Sequence, residues 1–146
     1  MSKVIVVIGS ESDRELAEKA EAVLKEFGVA CEVHVASAHR TPEKVKAIAE
    51  RDDCEVFIAI AGLSAALPGV IASHTIKPVI GVPREVKLLG LDALLAIAQL
   101  PPGVPVATVG IDNAKNAALL AIEILALKDS ELRAKLEEYK RRMRGA

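Results

Sequence analysis

Residues 3–8 read Lys-Val-Ile-Val-Val-Ile, and Gly9-Ser10-Glu11-Ser12-Asp13 follow without a break. A β-branched run that is apolar on both faces fits a central parallel strand covered on each side by helices. A half-wet antiparallel strand would alternate instead. Gly9 ends the run. Ser12 and Glu15 then stand three residues apart, the spacing of a capping box. Leu16, Ala20, Val23, Leu24 and Phe27 recur at helical spacing up to Gly28, a residue suited to closing a helix. One strand, one short polar loop and one helix make a first βα unit.

The same unit repeats along the chain. Residues 29–36 form a second strand with partial alternation. Thr41, Pro42 and Glu43 open a helix as cap, first residue and first-turn acid, with Val45, Ile48 and Ala49 as its apolar stripe. Strands are expected at 56–61, 78–82 and 104–109, and helices at 64–73, at 91–99, from a cap at Asp112 or Asn113 to 127, and at about 129–143. Strands alternating with helices at short spacing imply right-handed βαβ crossovers and a parallel sheet. Five such strands predict an α/β fold, a flavodoxin-like doubly wound sheet of order 2-1-3-4-5. With no linker or low-complexity stretch, residues 1–146 read as a single domain.

Composition narrows the function. Apolar residues make up 51% and charged residues 27%, which excludes a disordered chain. Nineteen Lys and Arg against twenty Asp and Glu leave a net charge of −1, so there is no broad basic field for nucleic acid. Aromatics at 2% supply no stacking platform for single strands. No apolar run reaches the ~18 residues of a membrane span, and no apolar leader with a cleavage site opens the chain. A cytoplasmic protein that engages neither membrane nor nucleic acid is the expectation. Cys31 and Cys54 lie in apolar-rich stretches and read as buried free thiols. No His, Cys, Asp and Glu spacing resembles a metal site.

The two late helices carry a further expectation. The helix from Asp112 is apolar nearly all round, which one sheet face cannot use up. A neighbouring subunit is the expected second cover, with burial under the last helix as the other way to satisfy it. The last helix carries Leu132, Leu136, Tyr139 and Met143 on one stripe and is expected to pack on that neighbour. Its basic end, Lys140, Arg141, Arg142 and Arg144, complements the helix dipole on a solvated face.

Ligands of doubly wound sheets bind outside the carboxyl ends of the strands, so the polar residues of those loops matter most. After strand one, Gly9 allows close approach, and Ser10, Ser12 and the N–H groups of a helix N-terminus can hold an anion. The loop is neither Gly-x-Gly-x-x-Gly nor a lysine-bearing phosphate loop, and Ser12 and Asp13 also fit ordinary capping. After strand two comes Ser37-Ala38-His39-Arg40-Thr41-Pro42. Arg40 can grip a phosphate with two donors, and His39 can give or take a proton near neutral pH. Together the two loops suggest a phosphorylated small molecule. After strand three, the small apolar stretch from Ala61 to Gly69 suits backbone contacts with a flat ligand, or close helix–sheet packing. His74 reads as a helix-end residue and His34 as a partly exposed strand residue.

These strings resemble the signature loops of the purine-biosynthesis carboxylase family called PurE. They are Gly9-Ser10-Glu11-Ser12-Asp13, Ser37-Ala38-His39-Arg40-Thr41-Pro42 and Leu67-Pro68-Gly69, followed by Gly81-Val82-Pro83, Gly90-Leu91-Asp92, Pro101-Pro102-Gly103 and Asn113-Ala114-Lys115-Asn116-Ala117. The short archaeal and bacterial members look most similar. The resemblance implies a homo-octamer with active sites at subunit contacts, and no biotin, metal or nucleoside triphosphate. It implies a ribonucleotide substrate and CO2 as the small-molecule partners. The reaction it implies converts N5-carboxyaminoimidazole ribonucleotide to 4-carboxyaminoimidazole ribonucleotide, with direct carboxylation of aminoimidazole ribonucleotide by CO2 as the alternative class. It gives His39 the catalytic proton transfer, Arg40 the phosphate, Asp13 the ribose hydroxyls, and Ser10, with Ser12 and Ser37, further substrate contacts. Two loops depart from the family. Ala66 stands where a histidine is usual, and Arg84, Glu85 and Val86 follow Pro83 in place of a small or hydroxyl-bearing loop. They set a third reading beside the two enzymes: an octameric scaffold of the same fold, diverged or engineered, with impaired catalysis.

Overall fold

In a computed structural model that describes residues 3–145, the apolar runs become strands β1 (Lys3–Ile8), β2 (Ala30–Val35), β3 (Val56–Ala61), β4 (Val79–Pro83) and β5 (Ala107–Thr108). All pair in parallel, in the order β2-β1-β3-β4-β5. Alternate residues of β1 feed two separate cores. Val4, Val6 and Ile8 face one side, where they meet α1 (Arg14–Glu26), α5 (Ala114–Ala126) and α6 (Ser130–Gly145). Ile5 and Val7 face the other, where they meet α2 (Pro42–Ala49), α3 (Leu67–Ser73) and α4 (Leu91–Ala98). Every residue of β3 and β4 is buried, which is why those strands show no alternation in the sequence.

Several local expectations are corrected. The capping box lies two residues earlier than Ser12 and Glu15: residues Glu11–Asp13 form a 3-10 turn, and Ser10 N–H donates to Asp13 Oδ2 at 3.2 Å. Thr41 occupies the position before α2, but its hydroxyl turns back to accept from Ser37 N–H at 2.9 Å. The third helix starts at Leu67 rather than 64, with Pro68 in its first turn, where a missing N–H costs nothing. Of the two caps expected for α5, Asn113 is the one found, its Oδ1 accepting from Asn116 N–H at 3.0 Å. The fifth strand shrinks from the expected 104–109 to two residues. Pro105 has no N–H for a ladder, and Val104 instead turns back to Pro101 O at 3.2 Å.

Part of the apolar surface of α5 finds its cover within the chain, while Leu119, Leu120 and Ile124 stay only partly buried. Ala117, Ala118, Ala121, Ile122 and Leu125 are all buried within the chain, against α1, the sheet and α6. The last helix packs in part on its own subunit. Leu132 and Leu136 are buried on the same subunit, and the Tyr139 ring lies 5.6 Å from that of Phe27. Met143, at the end of the stripe, remains 55% exposed. Of the two thiols, Cys54 is buried as expected but Cys31 only partly. Burial pushes the Cys31 thiol up to about 12, which keeps it protonated and unreactive. Among the described residues no helix is long and apolar enough to cross a membrane.

Candidate functional site

Strand register sets the site. Ile8 is level with Val35 on one side and Ile60 on the other, and Ala61 is level with Pro83. The loops leaving β1, β2, β3 and β4 therefore open at one edge, side by side. A cavity of about 190 Å³ lies between them. All six sequence-predicted residues line it: Ser10, Ser12, Asp13, Ser37, His39 and Arg40.

The β2 loop presents its two functional groups to solvent. His39 and Arg40 are both exposed. Arg40 is steadied by its backbone N–H on Ser37 Oγ at 3.1 Å. Its guanidinium makes only long contacts, 3.5 Å from Ser37 Oγ and 3.5 Å from Gly9 O. Those are at the limit of a hydrogen bond, so its donors remain available to an anion. His39 has no side-chain hydrogen bond to any described residue. The other two histidines lie elsewhere. His34 Nε2, on β2, is 2.9 Å from Glu32 Oε2 and 3.2 Å from Arg51 Nη1. His74 follows the end of α3 and is exposed.

The β1 loop is the opposite case, closed on itself. Asp13 is 4% exposed and is the buried charged side chain among the described residues. Its Oδ2 accepts from Ser10 N–H. Its Oδ1 accepts from Arg84 Nη1 at 3.0 Å. Burial pushes the Asp13 carboxyl up, and the Arg84 charge and the Ser10 N–H pull it back only in part. Ser10 Oγ and Ser12 Oγ lie 2.5 Å apart, and Arg84 Nη1 also reaches Ser12 Oγ at 3.2 Å.

Sequence reasoning placed Arg84 next to the site but missed that it joins it. Arg84, Val86, Leu63 and Ser64 line the cavity together with the predicted residues. The available signal was an arginine ending a fully apolar strand, where a charge needs a polar destination. Gly62 shows how closely the β3 and β4 loops meet: an added Cβ would lie 2.5 Å from Val86 Cγ2 and 3.2 Å from Arg84 O. Ala66 sits half-exposed before α3, next to Leu67, which lines the cavity. No group of three or more His, Cys, Asp or Glu among the described residues is placed to hold a metal ion.

The sequence profile of a family described as AIR carboxylase matches residues 3–146. The chain belongs to the AIR carboxylase family. It is 62% identical over 141 residues to a protein of Methanocaldococcus jannaschii named N5-carboxyaminoimidazole ribonucleotide mutase, covering 97% of this chain and 90% of that one. A protein of the same name from Pyrococcus abyssi is 53% identical over 148 residues, covering 99% and 85%. A crystal structure of Treponema denticola PurE matches with a TM-score of 0.91 at 32% identity, over 99% of this chain and 93% of the other. The AIR carboxylase fold is thus shared along nearly the whole chain, β5 and α6 included.

Proposed function

We propose that this chain is an N5-carboxyaminoimidazole ribonucleotide mutase, an isomerase of purine biosynthesis that moves a carboxylate from nitrogen to C4 of the imidazole. The observation that carries the reading is the pairing of His39 and Arg40, exposed and adjacent, at the mouth of a cavity shared with the β1 loop. The names of the curated relatives support the reaction. Arg40 and the Ser10–Ser12 loop take the phosphate, Asp13 takes the ribose hydroxyls, and Ser37, beside Arg40, is a further substrate contact. His39 then has two tasks. It gives a proton to the substrate nitrogen as the N–CO2 bond breaks, and it takes the C4 proton once CO2 has joined that carbon. The proton count closes on one imidazole, which returns to its starting state. Holding CO2 beside C4 between the two steps replaces a bimolecular encounter by an intramolecular one.

The same reading makes the protein a cytoplasmic homo-octamer. Leu88, Leu89, Leu91 and Leu95 support assembly, since all four are exposed apolar side chains within one short stretch.

A spectrophotometric assay with both ribonucleotides, with and without bicarbonate, tests the reaction. The mutase reading expects turnover of N5-carboxyaminoimidazole ribonucleotide that does not need bicarbonate. Turnover of aminoimidazole ribonucleotide alone, and only with bicarbonate, would replace it by direct carboxylation.

A further inference from the structure

We propose that Arg84 is a specificity-determining residue of this site: it holds the Asp13 carboxylate in an ion pair, so a ribose cis-diol must compete for its own binding group. The site then selects a ligand by its anionic group rather than by its diol. This rests on the assignment of the cavity as a ribonucleotide site.

Asp13 is the place to look because a buried carboxylate must be partnered, and here both oxygens already are. Ser10 N–H takes Oδ2 at 3.2 Å and Arg84 Nη1 takes Oδ1 at 3.0 Å. The same guanidinium nitrogen lies 3.2 Å from Ser12 Oγ, which is 2.5 Å from Ser10 Oγ. Ser10, Ser12 and Asp13 of the β1 loop are thus linked to one another through Arg84.

Arg84 is also held in place from behind. Its N–H donates to Ala61 O at 3.0 Å, and Glu85 N–H donates to Asp112 Oδ1 at 2.9 Å. Its backbone packs against Gly62. Its side chain is 30% exposed, so the pair is only partly screened. Arg40, across the cavity, is exposed and loosely tied, and stays open to an anion. A sugar hydroxyl is a neutral donor. It must displace or share a donor that carries a full charge: its bond to the carboxylate is charged on one side only, whereas the Arg84–Asp13 bond is charged on both.

The test is calorimetric, with the full chain and two probes that differ only in the diol: adenosine monophosphate and its 2′,3′-dideoxy analogue. The proteins are wild type, Arg84→Val, Arg84→Gln and Arg40→Ala, each checked for folding by thermal melting. Wild type is expected to bind the two probes within about threefold of each other. Arg84→Val is expected to bind the diol-bearing probe about tenfold or more tighter than the analogue, the ratio of the two affinities being the quantity read. Should Arg84→Val fail to fold, Arg84→Gln carries the comparison, because it removes the charge and keeps a donor. An unchanged ratio, or equal weakening of both probes, overturns the proposal. Arg40→Ala reads the site separately. If it weakens both probes while the Arg84 variants leave the ratio alone, only this proposal fails. If neither probe binds, or Arg40→Ala changes nothing, the site assignment fails and the proposal with it.

Discussion

Arg40 and His39 are neighbours in the chain and neighbours at the cavity mouth, and their chemistry divides cleanly. Because the Arg40 guanidinium has only 3.5 Å contacts within the protein, its donors are free for a phosphate. Arg40→Ala is expected to weaken binding of a ribonucleoside monophosphate by about 1.5–3 kcal/mol, read by calorimetry. Unchanged affinity would move the phosphate elsewhere. Ala66, where the resemblance to the PurE loops implies an imidazole, stands beside the lining residue Leu67. Ala66→His is expected to raise kcat, by up to the roughly 100–1,000-fold that one positioned donor contributes in a closed site. No gain would show that the position is neutral here. The pair His39–Arg40 was legible because its two members are adjacent after a strand. The Arg84–Asp13 pair was not, since 71 residues separate them and only the strand order brings them together.

At the scale of elements, strand interiors were more legible than strand ends. Continuous apolar runs marked β1 and β3 to the residue, because burial on both faces leaves no polar position to blur the edges. The fifth strand was overread, since apolar content counts toward a strand but Pro105 removes a donor that the ladder needs. The Ser12–Glu15 spacing misled for a related reason: Asp13 is a competing acceptor three residues after Ser10, and the shorter 3-10 turn wins. Close approach of α4 to the sheet gives a direct test. Gly81 lies in β4, where an added Cβ would press into Ile97 Cγ2 and lie 3.2 Å from Val106 Cγ1 and 3.3 Å from Pro68 Cβ. All three are short, stiff or branched neighbours. Gly81→Ala is expected to cost about 1–3 kcal/mol in chemical denaturation, the range for overpacking a filled core. A neutral result would mean that α4 shifts away freely.

Over the whole molecule, a charge network joins strands that are far apart in sequence. Lys3 Nζ lies 2.5 Å from Glu32 Oε1 and 2.9 Å from Asp53 Oδ2, and Arg51 bridges the same two acids at 2.8 and 2.6 Å. Arg51, Lys3 and His34 hold the Glu32 carboxyl well down, from 4.5 to about 2. Asp53 is lowered as well, by Arg51 and then Lys3. A lowered folded-state value means that the contribution is present above the unfolded value and lost as pH falls toward the folded one. Thermal stability is therefore expected to drop between about pH 4.5 and pH 2, with a shallower drop in Glu32→Gln. Asp13, whose carboxyl is raised, works in the opposite direction and softens the slope. Equal acid slopes in the two proteins would show that the network contributes nothing.

The central claim is that His39 carries the proton for carboxylate transfer in this cavity. Its most direct test is the initial rate of conversion of N5-carboxyaminoimidazole ribonucleotide by wild type and by His39→Asn, both folded and assembled alike. Wild type is expected to turn over, and His39→Asn to lose roughly 100–10,000-fold, the range for removing a positioned acid–base group. Equal rates in the two proteins, or no turnover by wild type, would contradict the account.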